Sequence, residues 1–172
     1  MKKLILSVFL ITALSFSANA QRMSNNALGL RFGSDRYNDG FEISYQHKLS
    51  KANRLELDLG WASHGNDHHN DQYDSFKFTG LYEWVWKIDG GFNWYAGVGA
   101  GIGSYSYDDY YYKGHYYSEN DTFATLDGDL GIEYNFDIPL QIAVDFRPEI
   151  YFGDNYHDDF NRTIALALRF RF

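Results

Sequence analysis

From Ala27 to Phe172 the chain alternates apolar and polar residues with a period of two, and it does so in eight separate runs. Only a β-strand sends successive side chains to opposite faces, so this pattern commits the chain to strands with one apolar and one polar face. The runs are Ala27–Gly33, Phe41–Leu49, Leu55–Ala62, Phe76–Trp86, Phe92–Tyr105, Thr122–Tyr134, Leu140–Phe152 and Thr163–Phe172. In the third, Leu55, Leu57, Leu59 and Trp61 alternate with Glu56, Asp58 and Gly60; in the seventh, Leu140, Ile142, Val144, Phe146 and Ile150 oppose Gln141, Ala143, Asp145, Arg147 and Glu149. Leu81 and Val85 blur the polar face of the fourth run.

The connections alternate too. Ser50–Asn53, Lys87–Gly91 and Asn135–Pro139 are short, whereas Ser34–Gly40, His64–Asp74, Ser106–Asp121 and Gly153–Asn161 are long and polar. Short turns at one end and long loops at the other are the plan of a transmembrane barrel, with turns periplasmic and loops extracellular. The fold class expected is therefore all-β: an eight-stranded antiparallel up-and-down transmembrane β-barrel.

Residues 1–20 stand apart. Lys2 and Lys3 precede an apolar run from Leu4 to about Phe16, and Ala18-Asn19-Ala20 offers a small-x-small cleavage site. This reads as a signal peptide for the general secretory route, with the barrel domain occupying residues 21–172. The apolar run is shorter than the ~20 residues of a spanning helix. There is no Cys, so strand pairing and burial must hold the exported chain. The formal charge is −8, and removal of Lys2 and Lys3 makes it −10, which argues against nucleic acid as a partner. Mean hydropathy is −0.45, a value typical of a soluble protein. A membrane β-barrel produces such a value because lipid-facing and lumen-facing residues alternate.

Alternation does not say which face is inside, and a soluble ligand-binding barrel has its apolar set inward. Volume separates the two. An eight-stranded barrel encloses little more than its own side chains, and the apolar set here is crowded with Leu, Ile, Phe, Tyr and Trp. The polar set fits an interior. Gly97, Gly99, Gly101 and Gly103 leave one strand bare, making room for larger side chains from the opposite wall. The charges on that face have both signs, as buried charges require. They are Arg31, Glu42, Lys48, Glu56, Asp58, Lys77, Glu83, Asp127, Asp129, Glu133, Asp145, Arg147, Glu149, Arg169 and Arg171. Aromatic residues sit near strand ends (Phe41, Trp61, Trp84, Trp86, Phe92, Trp94, Tyr134, Phe152 and Phe170), in the manner of two interfacial girdles. Pro148 falls on the lipid side and cannot donate to the ladder, so a bulge or an early end to pairing is expected there.

Several motifs carry a family resemblance. Tyr95-Ala96-Gly97-Val98-Gly99-Ala100-Gly101 forms a glycine-rich middle strand; Gly131-Ile132-Glu133-Tyr134 and Asp145-Phe146-Arg147-Pro148 lie in late strands; and the chain closes on Leu166-Ala167-Leu168-Arg169-Phe170-Arg171-Phe172. The whole segment after the signal resembles the outer-membrane β-barrel domain family of small eight-stranded OmpA-, OmpX- and opacity-type barrels. The resemblance implies residence in the outer membrane of a Gram-negative-type bacterium, among lipid and lipopolysaccharide. It implies that Phe170 and Phe172 form the signal read by the barrel-assembly machinery. No periplasmic peptidoglycan-binding domain is expected, and the barrel is expected to be a monomer.

Candidate sites lie in the loops and the lumen. His64, His68, His69, Asp71 and His157 would bring imidazoles and carboxylates to the rim, a donor set that suits Zn²⁺ or Cu²⁺. Their spacing matches no established ligand motif, and a hydrophilic loop explains the same residues. Tyr107, Tyr110, Tyr111, Tyr112, Tyr116 and Tyr117 offer large contact area at low entropy cost, as in binding loops that grip a protein or glycan. The alternative is a tyrosine-rich hairpin extending beyond the membrane. The lumen charges form either a plug or a narrow passive channel. A lipid-modifying enzyme needs a nucleophile beside a base. His47 shares the lipid-facing parity and Ser44 has no His beside it, so no catalytic residue and no cofactor are assigned. The function expected is a structural, surface-interaction role.

Overall fold

The computed structural model describes residues 24–34, 39–66, 69–107, 110–112, 115–117, 120–152 and 160–172, with the side chains at 34, 39, 62–66, 69–74, 107, 110–112, 115–117 and 120–121 outside the described set. The strands are β1 (Asn26–Ser34), β2 (Asp39–Lys48), β3 (Asn53–Asn66), β4 (His69–Asp89), β5 (Phe92–Tyr107), β6 (Tyr110–Tyr112), β7 (His115–Tyr117), β8 (Asn120–Asn135), β9 (Leu140–Phe152) and β10 (Phe160–Arg171). Eight of them close a barrel in the order β1-β10-β9-β8-β5-β4-β3-β2, and β6 pairs only with β7. The seam is a full antiparallel ladder from Ala27 opposite Arg171 to Ser34 opposite Ile164. Closure leaves no open edge, which is what a sheet needs where no water can satisfy its backbone.

Exposure decides the sidedness. The odd-numbered face of β5, the even-numbered face of β3 and the equivalent positions around the barrel are buried, while Leu28, Val98, Ile102, Leu130, Ile164 and Leu168 stand on the outside at 46–64% exposure. A continuous outer belt of Leu, Ile, Val and Phe is a lipid surface; a water-soluble barrel would bury it. The soluble alternative is thereby set aside. Aromatic pairs mark the two ends of the belt. At the turn end Trp86 stacks on Trp94 with centroids 4.2 Å apart, and Phe92 meets Tyr134 at 4.6 Å. At the loop end Trp61 lies between Phe41, at 6.1 Å, and Phe76, at 5.6 Å.

Three sequence expectations need correction. The segment His64–Asp74 is largely strand rather than long loop: β3 and β4 stay paired through Gly65 opposite Gln72, with a register shift before Asn66 meets His69. Once the membrane portion has set the register, each further backbone pair continues the ladder whatever the side chains. The connection after β5 likewise contains a hairpin of its own, β6–β7. At Pro148 the strand neither bulges nor ends. The β8–β9 ladder runs from Ala124 to Asp127, lapses at Gly128 and Asp129, and resumes at Leu130 in the same register. Gly128 lies opposite the proline, and a Cβ there would approach the ring to 3.0 Å. The missing side chain lets the ring pass without displacing the strand.

Candidate functional site

The interior is built from the alternate residues of each barrel strand, and it is polar almost throughout. Arg31, Arg147, Arg169, Glu56, Asp58, Glu83 and Asp127 are all at most 1% exposed. Charges so buried must meet partners, and three layers of ion pairs supply them.

The middle layer is a chain of shared carboxylates. Arg31 holds Asp145 at 2.5 Å and Glu42 at 2.7 Å. Glu42 also takes Arg147 at 3.4 Å. Arg147 reaches Asp58 at 2.7 Å and Glu56 at 3.2 Å. Glu56 passes on to Arg169 at 3.0 Å and accepts Gln46 Nε2 at 2.5 Å, while Arg169 Nε donates to Ser44 Oγ at 3.0 Å. Arg147 on β9 and Asp58 on β3 are four strands apart in either direction around the barrel, so this pair spans its full diameter.

On the turn side, Arg54 donates from Nε to Glu83 and from Nη1 to Glu133. Its guanidinium lies 4.5 Å from the centroid of the Tyr95 ring. Glu133 is further saturated by Asn93 Nδ2 at 2.9 Å, Asn135 Nδ2 at 3.0 Å and Gln141 Nε2 at 3.2 Å. On the loop side, Lys77 meets Glu149 at 2.7 Å and Asp127 at 3.7 Å. Above it an inner aromatic group closes the barrel: Phe123 packs on Tyr105 at 4.8 Å and on Tyr151 at 5.4 Å.

The glycines serve neighbouring strands rather than the opposite wall. A Cβ on Gly97 would lie 2.8 Å from Glu83 Cγ and 3.5 Å from Asp129 Cβ, and one on Gly131 would fall within the Tyr95 ring. Side chains here lean sideways over the adjacent strand, because cross-strand Cβ atoms are only about 5 Å apart.

Most of the charges expected from parity meet in these layers. Asp129 shares the space over Gly97 with Glu83 and makes no ion pair among the described residues. Lys48 and Arg171 depart from the expectation: they stand at the turn-end mouth, outside the ion-pair network of the described residues. At that level the one lining carboxylate, Glu133, is already held by Arg54. Arg171 instead donates to the carbonyls of Phe136, at 2.5 Å, and Ile138, at 3.0 Å. Arg54 itself escaped the sequence reading because the turn signal around Ser50–Asn53 masked the first residues of β3. Continuing the parity of Glu56 and Asp58 back by two would have found it. Leu81, read as blurring the polar face, is fully buried there; the inward Phe123 and Tyr151 went unrecognised because apolar side chains at these positions break the polar pattern.

The rim residues His64, His68, His69, Asp71 and His157 lie outside the residues whose side chains are described, as do Tyr107, Tyr110, Tyr111, Tyr112, Tyr116 and Tyr117. Among the described residues no group of three or more His, Cys, Asp or Glu is arranged to hold a metal ion. His47 is exposed on the outer face with Nδ1 2.8 Å from Asn26 Oδ1.

No family model matches the sequence, and no curated protein sequence matches it. Solved structures do. Neisserial surface protein A superposes with a TM-score of 0.64 at 12% identity, covering 86% of this chain and 94% of that one. The attachment invasion locus protein Ail of Yersinia pestis, in complex with the heparin analogue sucrose octasulfate, gives 0.60 at 16% identity, covering 87% and 97%. The N-terminal barrel domain of Pseudomonas aeruginosa OprF gives 0.53 at 14%, covering 87% and 98%. The chain has the fold of the small outer-membrane barrels. In this barrel the lumen is interrupted. A vestibule of about 490 Å³ opens at the turn end and reaches Arg54 and Glu133. A pocket of about 70 Å³ lies toward the loops beside Lys77 and Glu149. The arginine layer fills the space between them.

Proposed function

We propose that this protein is an outer-membrane barrel of a Gram-negative-type bacterium whose interior is a plug and whose work is done by its extracellular loops. The observation that carries the reading is the Arg147–Asp58 pair, which ties opposite walls together inside the membrane. A lumen crossed by interlocking ion pairs makes a rigid support. The segments beyond the membrane are then the part free to vary and to bind. In this reading the protein binds and does not catalyse. Export uses the signal at residues 1–20, and assembly uses the terminal Phe170 and Phe172. Phe172 pairs with Asn26 across the seam, N–H to carbonyl at 2.9 Å and 3.1 Å, so the proposed signal becomes structural once the barrel closes.

The loop sequences point to the partner's chemistry. Within segments 34–40, 64–74, 106–121 and 153–161, Asp35, Asp39, Asp67, Asp71, Asp74, Asp108, Asp109, Glu119, Asp121, Asp154, Asp158 and Asp159 outnumber the Lys and Arg residues Arg36 and Lys113. Interleaved tyrosines add contact area. Such a surface attracts a cationic protein segment, and attracts lipopolysaccharide phosphates only through bridging divalent ions. Ail was solved with a polysulfated heparin analogue; the acidic loops of this chain favour the opposite charge.

The test has two parts. Purified barrel in a planar bilayer is expected to be silent, and cells displaying it are expected to bind a basic, tyrosine-compatible protein surface in a salt-sensitive way that is lost when residues 108–119 are replaced by a short turn. Reproducible conductance steps would overturn the plug and make the protein a narrow passive channel.

A further inference from the structure

The vestibule at the turn end is a second feature that the loop reading leaves unused. Its wall is hydrophilic: Asn25, Asn93, Asn135, Gln46 and Gln141 line it, with Ala27 and Val85 as the main apolar contributions. Its charge is one-sided. Lys48, Lys51, Lys87 and Arg171 line it and make no ion pair among the described residues. The one lining carboxylate, Glu133, is already neutralised by Arg54 and by three amide donors. Asp89 and Asp137, the acids of the neighbouring turns, are exposed and do not line it.

The floor carries unused donors. Arg54 is 6% exposed, and its Nη2 is buried without a hydrogen-bond partner; Arg171 Nε is in the same state. Both guanidiniums line the vestibule, and an oxyanion seated there takes charge-assisted hydrogen bonds from their accessible edges. Four cationic side chains exceed what one monovalent carboxylate balances. A phosphate monoester or a pyrophosphate carries about two or more negative charges near neutral pH. About 490 Å³ accommodates such a group together with a polar carrier that the wall amides can hydrogen-bond.

We propose that the turn-end vestibule binds a multivalent phosphate group borne on a polar, hydrogen-bonding molecule. The group enters past Lys48, Lys51 and Lys87 and docks against Arg171 and the Arg54 floor. Two sources have this chemistry: a soluble phosphorylated molecule on the turn side of the membrane, and a multiply charged phospholipid headgroup (a phosphate monoester or a diphosphate) folded into the mouth from the adjoining leaflet.

The experiment uses the barrel in phosphatidylcholine nanodiscs, titrated with inorganic pyrophosphate and followed by nitrogen NMR of the Asn93 and Gln141 side-chain amides and of Arg171 Nε. Saturable shifts at all three are expected. Affinity is expected to fall about tenfold in the Lys48→Gln/Lys51→Gln/Lys87→Gln variant and to be unchanged in Lys113→Gln, which alters a loop at the other end. The substituted lysines stand at the mouth, away from the buried ion-pair layers, so folding is not at stake. Adding phosphatidic acid, a lipid phosphate monoester, to the nanodisc separates the sources. Shifts that appear before pyrophosphate, and that pyrophosphate then competes away, identify a headgroup as the occupant; an unchanged titration identifies a soluble phosphate. The proposal is overturned if pyrophosphate leaves Gln141 and Asn93 unmoved, if only the rim lysines respond, or if the triple variant binds as tightly as the parent.

Discussion

Arg147→Met tests whether the arginine layer holds the barrel, and the contacts say where the cost falls. Arg147 is fully buried and touches Glu42, Glu56 and Asp58. Two of these keep other cations when it goes: Glu42 retains Arg31 at 2.7 Å, and Glu56 retains Arg169 at 3.0 Å and Gln46 at 2.5 Å. Asp58 retains none; its Oδ2 is held by Arg147 and its Oδ1 has no partner. The substitution therefore strands one carboxylate at the barrel axis, which costs about 3–5 kcal/mol when a buried pair is broken from one side. Replacing both members by apolar residues avoids that penalty, so adding Asp58→Leu to Arg147→Met is expected to recover about 2 kcal/mol or more. Urea unfolding from lipid vesicles, read by tryptophan fluorescence and by the heat-dependent gel shift, measures both. A loss below about 1 kcal/mol in the single variant, or no recovery in the double, would refute the claim that this pair ties the walls together.

Further outcomes follow from the same geometry. Gly131→Val places a side chain where Tyr95 sits and is expected to cost about 3 kcal/mol in urea unfolding, but about 1 kcal/mol or less in a Tyr95→Ala background. Val98→Arg, in the middle of the outer belt, is expected to cost about 2–4 kcal/mol, and Ile88→Arg, beyond the turn-end aromatic pairs, about 0–1 kcal/mol. Replacement of residues 108–119 by a short turn is expected to change the unfolding free energy by less than about 0.5 kcal/mol, because β6 and β7 pair only with each other.

The fold was legible because lipid and lumen impose opposite demands on adjacent residues, and period two records both. Leu55, Leu57 and Leu59 against Glu56 and Asp58 sort β3 into two faces, and the bulk of the apolar set then says which face meets lipid. Where one side chain serves two demands, the record fails. Arg54 reads as part of a turn because Ser50, Lys51, Ala52 and Asn53 supply the turn chemistry just before it, yet it anchors the turn-side layer. Phe123 and Tyr151 are apolar side chains at inward parity, which a polar-face pattern does not flag, yet they pack inward at the loop end. Pairing partners were beyond reach altogether. Parity places Arg147 in the lumen but cannot say that it crosses to Asp58, since that depends on strand tilt and register. The strand extensions at His64–Asp74 were hidden for a related reason: Asn, His and Asp signal a loop, and the ladder continues despite them.

The sequence distances across the arginine layer bear on how the chain comes to be folded at all. Arg147 and Asp58 are 89 residues apart, Arg31 and Asp145 114, and Arg169 and Ser44 125. Arg31 meets Glu42 within its own hairpin, but Arg147, Asp58, Asp145 and Arg169 find their ion-pair partners only outside theirs. A half-built sheet entering hydrocarbon would carry bare guanidiniums and carboxylates, at a cost no local contact offsets. Insertion strand by strand is thus closed to this chain. Its hairpins must gather at the membrane surface and cross together, and the step that joins β1 to β10 must coincide with discharge of the lumen. The long-range pairs that make the finished barrel rigid are missing from a partly assembled sheet, so entry into the membrane and completion of the fold are expected to be coupled.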